Sequence, residues 1–410
     1  MKKQNCIVAQ SGGPTAAINA SLAGVIDAAL KSNSFHTVYG SINGIQGVLQ
    51  HKIISLNETF ENNPDAIHTL MTSPAMYLGS CRYKLPDFKS NPTQYEFIFE
   101  TFRQMDIHSF FYIGGNDSMD TVDKLSQYAK SIDYDICIIG IPKTIDNDLM
   151  ETDHTPGFGS AAKFVATSML EIAHDTYIFD IESVTIVEIM GRDAGWLTAS
   201  AALARNSYNH APDLIYLPEH DFSTFQFVND LNTLLKANKN VIVAVSEGVH
   251  DEQGNYICST QAAADKFGHA QLSGTGKTLE HLVKSTIGCK VRSIELNVLQ
   301  RSAMHISSLT DITEAFQLGS EAVKAAEMGL TSIMLTLNRE NNHPYTISIG
   351  NVPVSEVANA AKSVPIEWIN ESGNDVTEEM IEYLLPLIEG EPHIRFKNGI
   401  PDYLSIKHLI

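Results

Sequence analysis

The 410-residue sequence predicts an α/β protein with mostly parallel sheets, and three observations carry that prediction. First, short uncharged runs rich in β-branched residues, such as Ile136-Cys137-Ile138-Ile139, read as strands buried on both faces, the signature of a parallel sheet. Second, these runs break into glycine-rich or polar turns and then into helical patterns, so that strand–turn–helix units recur along the chain. Third, charged residues gather directly after the runs, at the carboxyl edge where open α/β sheets bind ligands. The length suits two or three domains with a substantial interior.

The first unit is the strand Cys6 to Gln10, the turn Ser11-Gly12-Gly13-Pro14-Thr15 and an alanine-rich helix from Ala16 to Leu30. Paired glycines let backbone N–H groups approach a phosphate, and the helix start adds a partial positive charge; a tight βα turn explains the same residues. A second strand, Thr37 to Ile42, leads to Asn43-Gly44, and Leu78-Gly79-Ser80-Cys81-Arg82 then places a guanidinium after a glycine loop. Phe110 to Ile113 breaks into Gly114-Gly115-Asn116-Asp117-Ser118, where Ser118 is expected to cap a helix from Met119 to about Lys130. Asp117 is an odd member of an anion loop, because its carboxylate repels phosphate. It suggests a bridging metal, or the exclusion of one particular phosphate.

The strand from Ile136 delivers the densest cluster, Pro142-Lys143-Thr144-Ile145-Asp146-Asn147-Asp148, with one cation and two carboxylates in seven residues. Taken alone it is a solvated turn, and company elsewhere gives it meaning. A helix follows from Ser160 to His174, then a strand Val184 to Ile189 ending in Met190-Gly191-Arg192-Asp193. Strands Leu214 to Leu217 and Val241 to Val245 close on Pro218-Glu219 and Ser246-Glu247-Gly248. The run Val291 to Leu299, with Arg292 near its start, ends in Gln300-Arg301, ahead of a helix from Asp311 to Met328. The stretch Leu272 to Thr278 imitates a nucleotide P-loop but has Gln271 where the pattern needs glycine, and Gln271-Leu272 is not a clear strand; it is read as the start of a helix through Val283, with Lys277 solvated. A strand from Ser332 to Leu337, a polar hairpin and a helix from Thr377 to Leu387 complete the chain without a chemical motif.

The formal net charge of −20 opposes binding to nucleic acid or to anionic membranes, so an anionic ligand would need its basic groups gathered locally. Five cysteines without a Cys-x-x-Cys pair argue against a disulfide framework and a cysteine zinc site. No apolar run is long enough to span a bilayer, and the start leads straight into a strand, so a cytoplasmic location is expected. Gly12, Arg82, Gly114, Lys143, Arg192, Glu247 and Arg301 sit in or beside loops that mostly follow strands. In so acidic a chain, that concentration implies a cleft for a multiply phosphorylated ligand. Asp146 then fits a general base acting on an attacking hydroxyl, and Asp148 fits a carboxylate that holds magnesium.

In combination, Gly12-Gly13, Leu78 to Arg82, Gly114 to Ser118, Pro142 to Asp148, Met190-Gly191-Arg192, Ser246-Glu247-Gly248 and Leu299-Gln300-Arg301 resemble the phosphofructokinase family over roughly residues 5 to 330. The resemblance implies two Rossmann-like three-layer domains with the active site in the cleft between them. Residues 1–155, completed by about 302–340, would bind the phosphoryl donor, 156–301 the sugar phosphate, and 341–410 would form a C-terminal extension packed on the core. Asp146 would accept the proton of the sugar 1-hydroxyl, with Lys143, Asp117 and Arg192 as its catalytic company. Gly12, Gly13, Arg82, Gly115, Asn116, Asp117 and Lys143 would hold the donor; Thr144, Ile145, Asp146, Met190, Gly191, Arg192, Glu247, Arg292 and Arg301 the sugar phosphate; Asn116 and Asp148 the Mg2+.

By the same resemblance, Asp117 and Lys143 select the donor, since members that use ATP have glycine at both places. A carboxylate about 4 Å from an ATP α-phosphate would cost about 4 kcal/mol at an effective dielectric near 20, roughly a thousandfold. The implied reaction is reversible transfer from pyrophosphate to fructose 6-phosphate by a homodimer. Three departures stand out: Asn116 replaces an aspartate that contacts magnesium, Ser183 an arginine lent by a neighbouring subunit, and Val298 a histidine near the sugar. They leave open sedoheptulose 7-phosphate as a further substrate, or a silent sugar-phosphate-binding subunit; the other alternative is an ATP-dependent enzyme.

Overall fold

In the computed structural model, which describes residues 3–258, 260–262 and 271–405, the repeated units assemble into two sheets. Strands are numbered along the chain: β1 Gln4–Gln10, β2 Phe35–Ser41, β3 Ile53–Ser55, β4 Ile107–Gly114, β5 Cys137–Pro142, β6 Ser183–Ile189, β7 Leu214–Tyr216, β8 Asn240–Ser246, β9 Thr260–Ala262, β10 Gln271–Ser273, β11 Lys290–Glu295, β12 Ile333–Asn342 and β13 Tyr345–Pro353. The first sheet runs β13-β12-β5-β4-β1-β2-β3, and the second β11-β6-β8-β7. All pairings in the second sheet are parallel, and in the first only the edge strands β3 and β13 pair antiparallel.

Registry explains why the charged turns converge. Gln10 pairs with Ile113 and Gly114 with Pro142, so β1, β4 and β5 release their loops side by side. In the second sheet Ile189 is level with Ser246, which brings Met190 and Glu247 to one edge. The central strands are buried on both faces, as their apolar sequences require: Ile138, Ile139 and Ile141 of β5 have no exposed surface, and neither do Val241 to Val245 of β8.

The helix Ile18–Lys31 packs on the helix Leu309–Glu327 at glycine contacts. A Cβ on Gly24 would lie 2.0 Å from the Phe316 carbonyl oxygen, and one on Gly319 2.0 Å from that of Ser21. Only glycine permits this approach. Past β13 the chain crosses between the two cores: Val354 and Val357 pack into the first, and Val364, Ile369, Met380 and Leu387 into the second.

Several elements differ from expectation for local reasons. The strand expected from Ile136 runs from Cys137 to Pro142, since pairing with β4 extends it through Gly140. Ser118 is no cap: the helix starts at Asn116, Gly115 stands at the cap position without a side-chain bond, and the Ser118 hydroxyl fills the space a Cβ on Gly114 would need. The run from Val291 ends as a strand at Glu295, and Leu299–Ser302 turns helical. Gln271–Ser273 is a strand after all, paired with β9. The helix after it, Thr275–Thr286, receives the carboxylate of Glu188 on the Gly276 N–H at 2.7 Å, so its start already holds an anion. Lys277 is half exposed and pairs with Glu280.

Candidate active site

Two adjoining cavities, of about 270 and 530 Å3, open between the sheets and share Gly13, Arg82, Lys143, Thr144, Asp146, Asp148, Arg192, Asp193 and Arg301. Met190 and Glu247 line the smaller one, toward the second sheet; Gly12, Gly115, Asn116 and Asp117 line the larger one, toward the first. Gly12 turns through the left-handed region, φ +80, close against the side chain of Lys143.

Lys143 is 2% exposed, and its Nζ donates to the Gly13 carbonyl oxygen at 2.9 Å. Burial pulls its pKa down to about 8, against the opposing pull of Asp146. The Thr144 hydroxyl donates to Asp146 Oδ2 at 3.1 Å and in turn accepts the Asp146 N–H at 3.2 Å, which fixes the carboxylate. Burial raises the Asp146 pKa, and burial and the charge of Asp146 push Asp148 up to about 7. Between them Asn147, in the left-handed region at φ 56, accepts the Thr155 N–H and donates to the Tyr383 hydroxyl at 2.8 Å, anchoring the turn from below.

On the opposite wall, Glu247 accepts the Gly191 N–H at 3.5 Å and burial lifts its pKa to about 7. Arg192 folds onto Asp193, with Nε to Oδ2 at 2.7 Å. The buried Nε of Arg301 has no partner among the described residues, and burial lowers the pKa of its guanidinium. An unsatisfied buried donor beside Gly13 and Lys143 is a place for an anion's oxygen. Conversely, two buried carboxylates with raised pKa values call for positive charge. Among the described residues no group of three or more His, Cys, Asp or Glu side chains could cage a metal. Asp146 and Asp148 nevertheless fit Mg2+, which is held by one or two carboxylates together with water and substrate phosphates.

Of the residues expected at the site, Gly191 lies between Met190 and Arg192 without lining either cavity, and Arg292 lies elsewhere in the chain. It sits near the amino end of β11, level with Thr185, where its guanidinium pairs with Asp175 at 2.7 Å and with Thr176. A parallel sheet gathers its loops at the carboxyl edge, so within this chain that side chain cannot reach the cleft. Asn116 lines the larger cavity, yet both ends of its amide are engaged: Oδ1 accepts the Asn359 N–H at 2.6 Å and Nδ2 donates to the Ala360 carbonyl oxygen at 2.5 Å. The segment Asn359–Ala361 is the wall that the sequence did not reveal. It follows a hairpin and carries no charge, so no chemical signal marked it.

A profile of the family described as "Phosphofructokinase" matches residues 5–326. The chain is 39% identical to the pyrophosphate--fructose 6-phosphate 1-phosphotransferase of Halomonas elongata, covering all of this chain and 98% of that one. It is 40% identical to the protein of the same name from Xanthomonas campestris, over all of this chain and 97% of the other. The crystal structure of the pyrophosphate-dependent phosphofructokinase of Nitrosospira multiformis superposes with a TM-score of 0.89 at 38% identity, covering 98% of this chain and 96% of that one.

Proposed function

The chain belongs to the phosphofructokinase family, and we propose that it transfers a phosphoryl group from pyrophosphate to the 1-hydroxyl of fructose 6-phosphate, reversibly and with Mg2+. The observation that carries this reading is the buried ammonium of Lys143 beside Gly13, with Asp117 across the same cavity. Pyrophosphate offers its full charge to Lys143 and Arg82, whereas a nucleotide would bring its α-phosphate toward the Asp117 carboxylate.

In the forward direction Asp146 takes the proton of the 1-hydroxyl as the O1–phosphorus bond forms and the bridging bond of pyrophosphate breaks, releasing phosphate. Thr144 holds the carboxylate toward its task, and the raised pKa makes it a stronger base than a surface aspartate. Lys143 and the Gly12-Gly13 backbone take up the negative charge of the leaving phosphate. Mg2+, when bound, would be held by Asp148 with Asp146 beside it, and would supply neutralisation of the donor's negative charge. On the sugar side, Arg192 and Arg301 hold the phosphate, and Met190, Gly191 and Glu247 position the ring.

The wider reading is a cytoplasmic homodimer. Among the described residues no helix is long and apolar enough to cross a membrane. The exposed apolar run of Tyr177, Ile178, Phe179 and Ile181, with Ile178 72% exposed, supports contact with a second copy. An activity panel with pyrophosphate and ATP as donors, and fructose 6-phosphate and sedoheptulose 7-phosphate as acceptors, tests the function. Turnover of fructose 6-phosphate with pyrophosphate is expected; turnover with ATP alone would overturn the reading, and tight sugar-phosphate binding without turnover would reveal a silent subunit.

A further inference from the structure

The wall Asn359–Ala361 is tied down from three sides. Asn116 holds it with both ends of its amide, as above. Asn359 Nδ2 reaches Asp120 Oδ1 at 3.4 Å on the same helix. The next residue, Lys362, donates its N–H to the Asp148 carbonyl oxygen at 2.7 Å, and its Nζ to the carbonyl oxygens of Thr152 and Asp153 at 3.0 and 2.7 Å. Its own carbonyl accepts the Trp196 Nε1–H at 2.9 Å, from the second lobe. The strap lines one side of the larger cavity, with Gly115, Asn116 and Asp117.

We propose that the strap Asn359–Ala361, clasped by Asn116, sets the length of the donor, admitting pyrophosphate and turning away a nucleoside triphosphate by its bulk. The inference rests on the pyrophosphate reading above. It also gives Asn116 a physical reason. An amide presents a donor and an acceptor at once, and the strap uses both; a carboxylate there would set an oxygen against the Ala360 carbonyl oxygen and open the clasp. Asn116 is thus a positioning residue of the cavity wall, and the discrimination assigned to Asp117 has a second, steric component independent of charge.

The test compares kcat/KM for pyrophosphate and for ATP in the wild type, Asp117→Gly, and Asp117→Gly combined with Asn116→Asp. The expected result is that the double variant raises the ATP-to-pyrophosphate ratio at least tenfold above Asp117→Gly alone. An unchanged ratio overturns the strap proposal. A second variant, Ala361→Leu, thickens the wall without touching the clasp; it should raise the KM for pyrophosphate at least fivefold and leave the KM for fructose 6-phosphate unaltered, and an unaltered pyrophosphate KM counts against the proposal even if the double variant fails to fold. Wild-type turnover with pyrophosphate separates the two levels: if it is absent, the functional reading falls; if it is present and the variants do nothing, only the strap does.

Discussion

The Nζ of Lys143 donates to the carbonyl oxygen of Gly13 across 2.9 Å, joining the loop after β5 to the loop after β1. The contact leaves little free space, since a Cβ on Gly12 would stand 3.1 Å from that nitrogen. Lys143→Met should therefore lower kcat by about 10²–10³, the range for loss of one preorganised charge-stabilising donor. Lys143→Arg should fail to rescue, because a planar fork is bulkier than an ammonium. Steady-state kinetics of both variants check this, and near-normal activity in Lys143→Arg would contradict it.

Activity should follow a bell-shaped pH profile. Asp148 and Glu247, both lifted to about 7, act as carboxylates, so kcat/KM falls as pH drops below that value and they take up protons. Lys143, pulled down to about 8, must keep its proton, so kcat/KM falls again as pH rises above it. Replacing the base by Asp146→Asn should cost roughly 10²–10⁴ in kcat at the optimum. A flat profile from pH 6 to 9 would refute the assignment.

His154 is buried between Asp153 and Glu314, at 2.8 and 2.7 Å. Burial opposes its charge, but the two carboxylates outweigh it and push its pKa up to about 9. A folded pKa above the unfolded value means that the stabilisation is complete below about pH 6.5 and disappears as pH rises through about 9. His154→Gln leaves the carboxylates facing one another and should lose about 3–5 kcal/mol at pH 6. Urea unfolding of the two proteins should show that gap shrinking toward pH 9; a constant gap would mean the imidazole is not charged in the fold.

The sequence made the convergence of Asp146, Lys143, Arg192 and Glu247 on one cleft legible because each directly follows an apolar strand, and parallel registry carries such positions to one edge. Arg292 lies outside the cleft of its own chain because it belongs to the beginning of its strand, a distinction that charge counting does not make. Ser118 had the chemistry of a cap but lies inside the helix, where its hydroxyl meets Gly114. The strap was invisible for a different reason: Asn359, Ala360 and Ala361 are ordinary residues whose role comes from partners 240 and more positions away, such as Asn116.

The first sheet is discontinuous, since β12 slots beside β5 only after the whole second sheet has been inserted between them in sequence. As the chain leaves the ribosome, the strands of the second sheet are all available before β12 emerges, and domains tend to fold as units in the order in which they are made. The strands of the inserted lobe can thus pair while the first sheet still lacks an edge; the donor wall that hangs from β13 follows, and Val364, Ile369, Met380 and Leu387 complete the second core after it. A nascent chain shorter than about residue 362 would expose the flank of β5 or lack the clasp, so competence for phosphoryl transfer waits until both sheets and the strap between their cores have emerged.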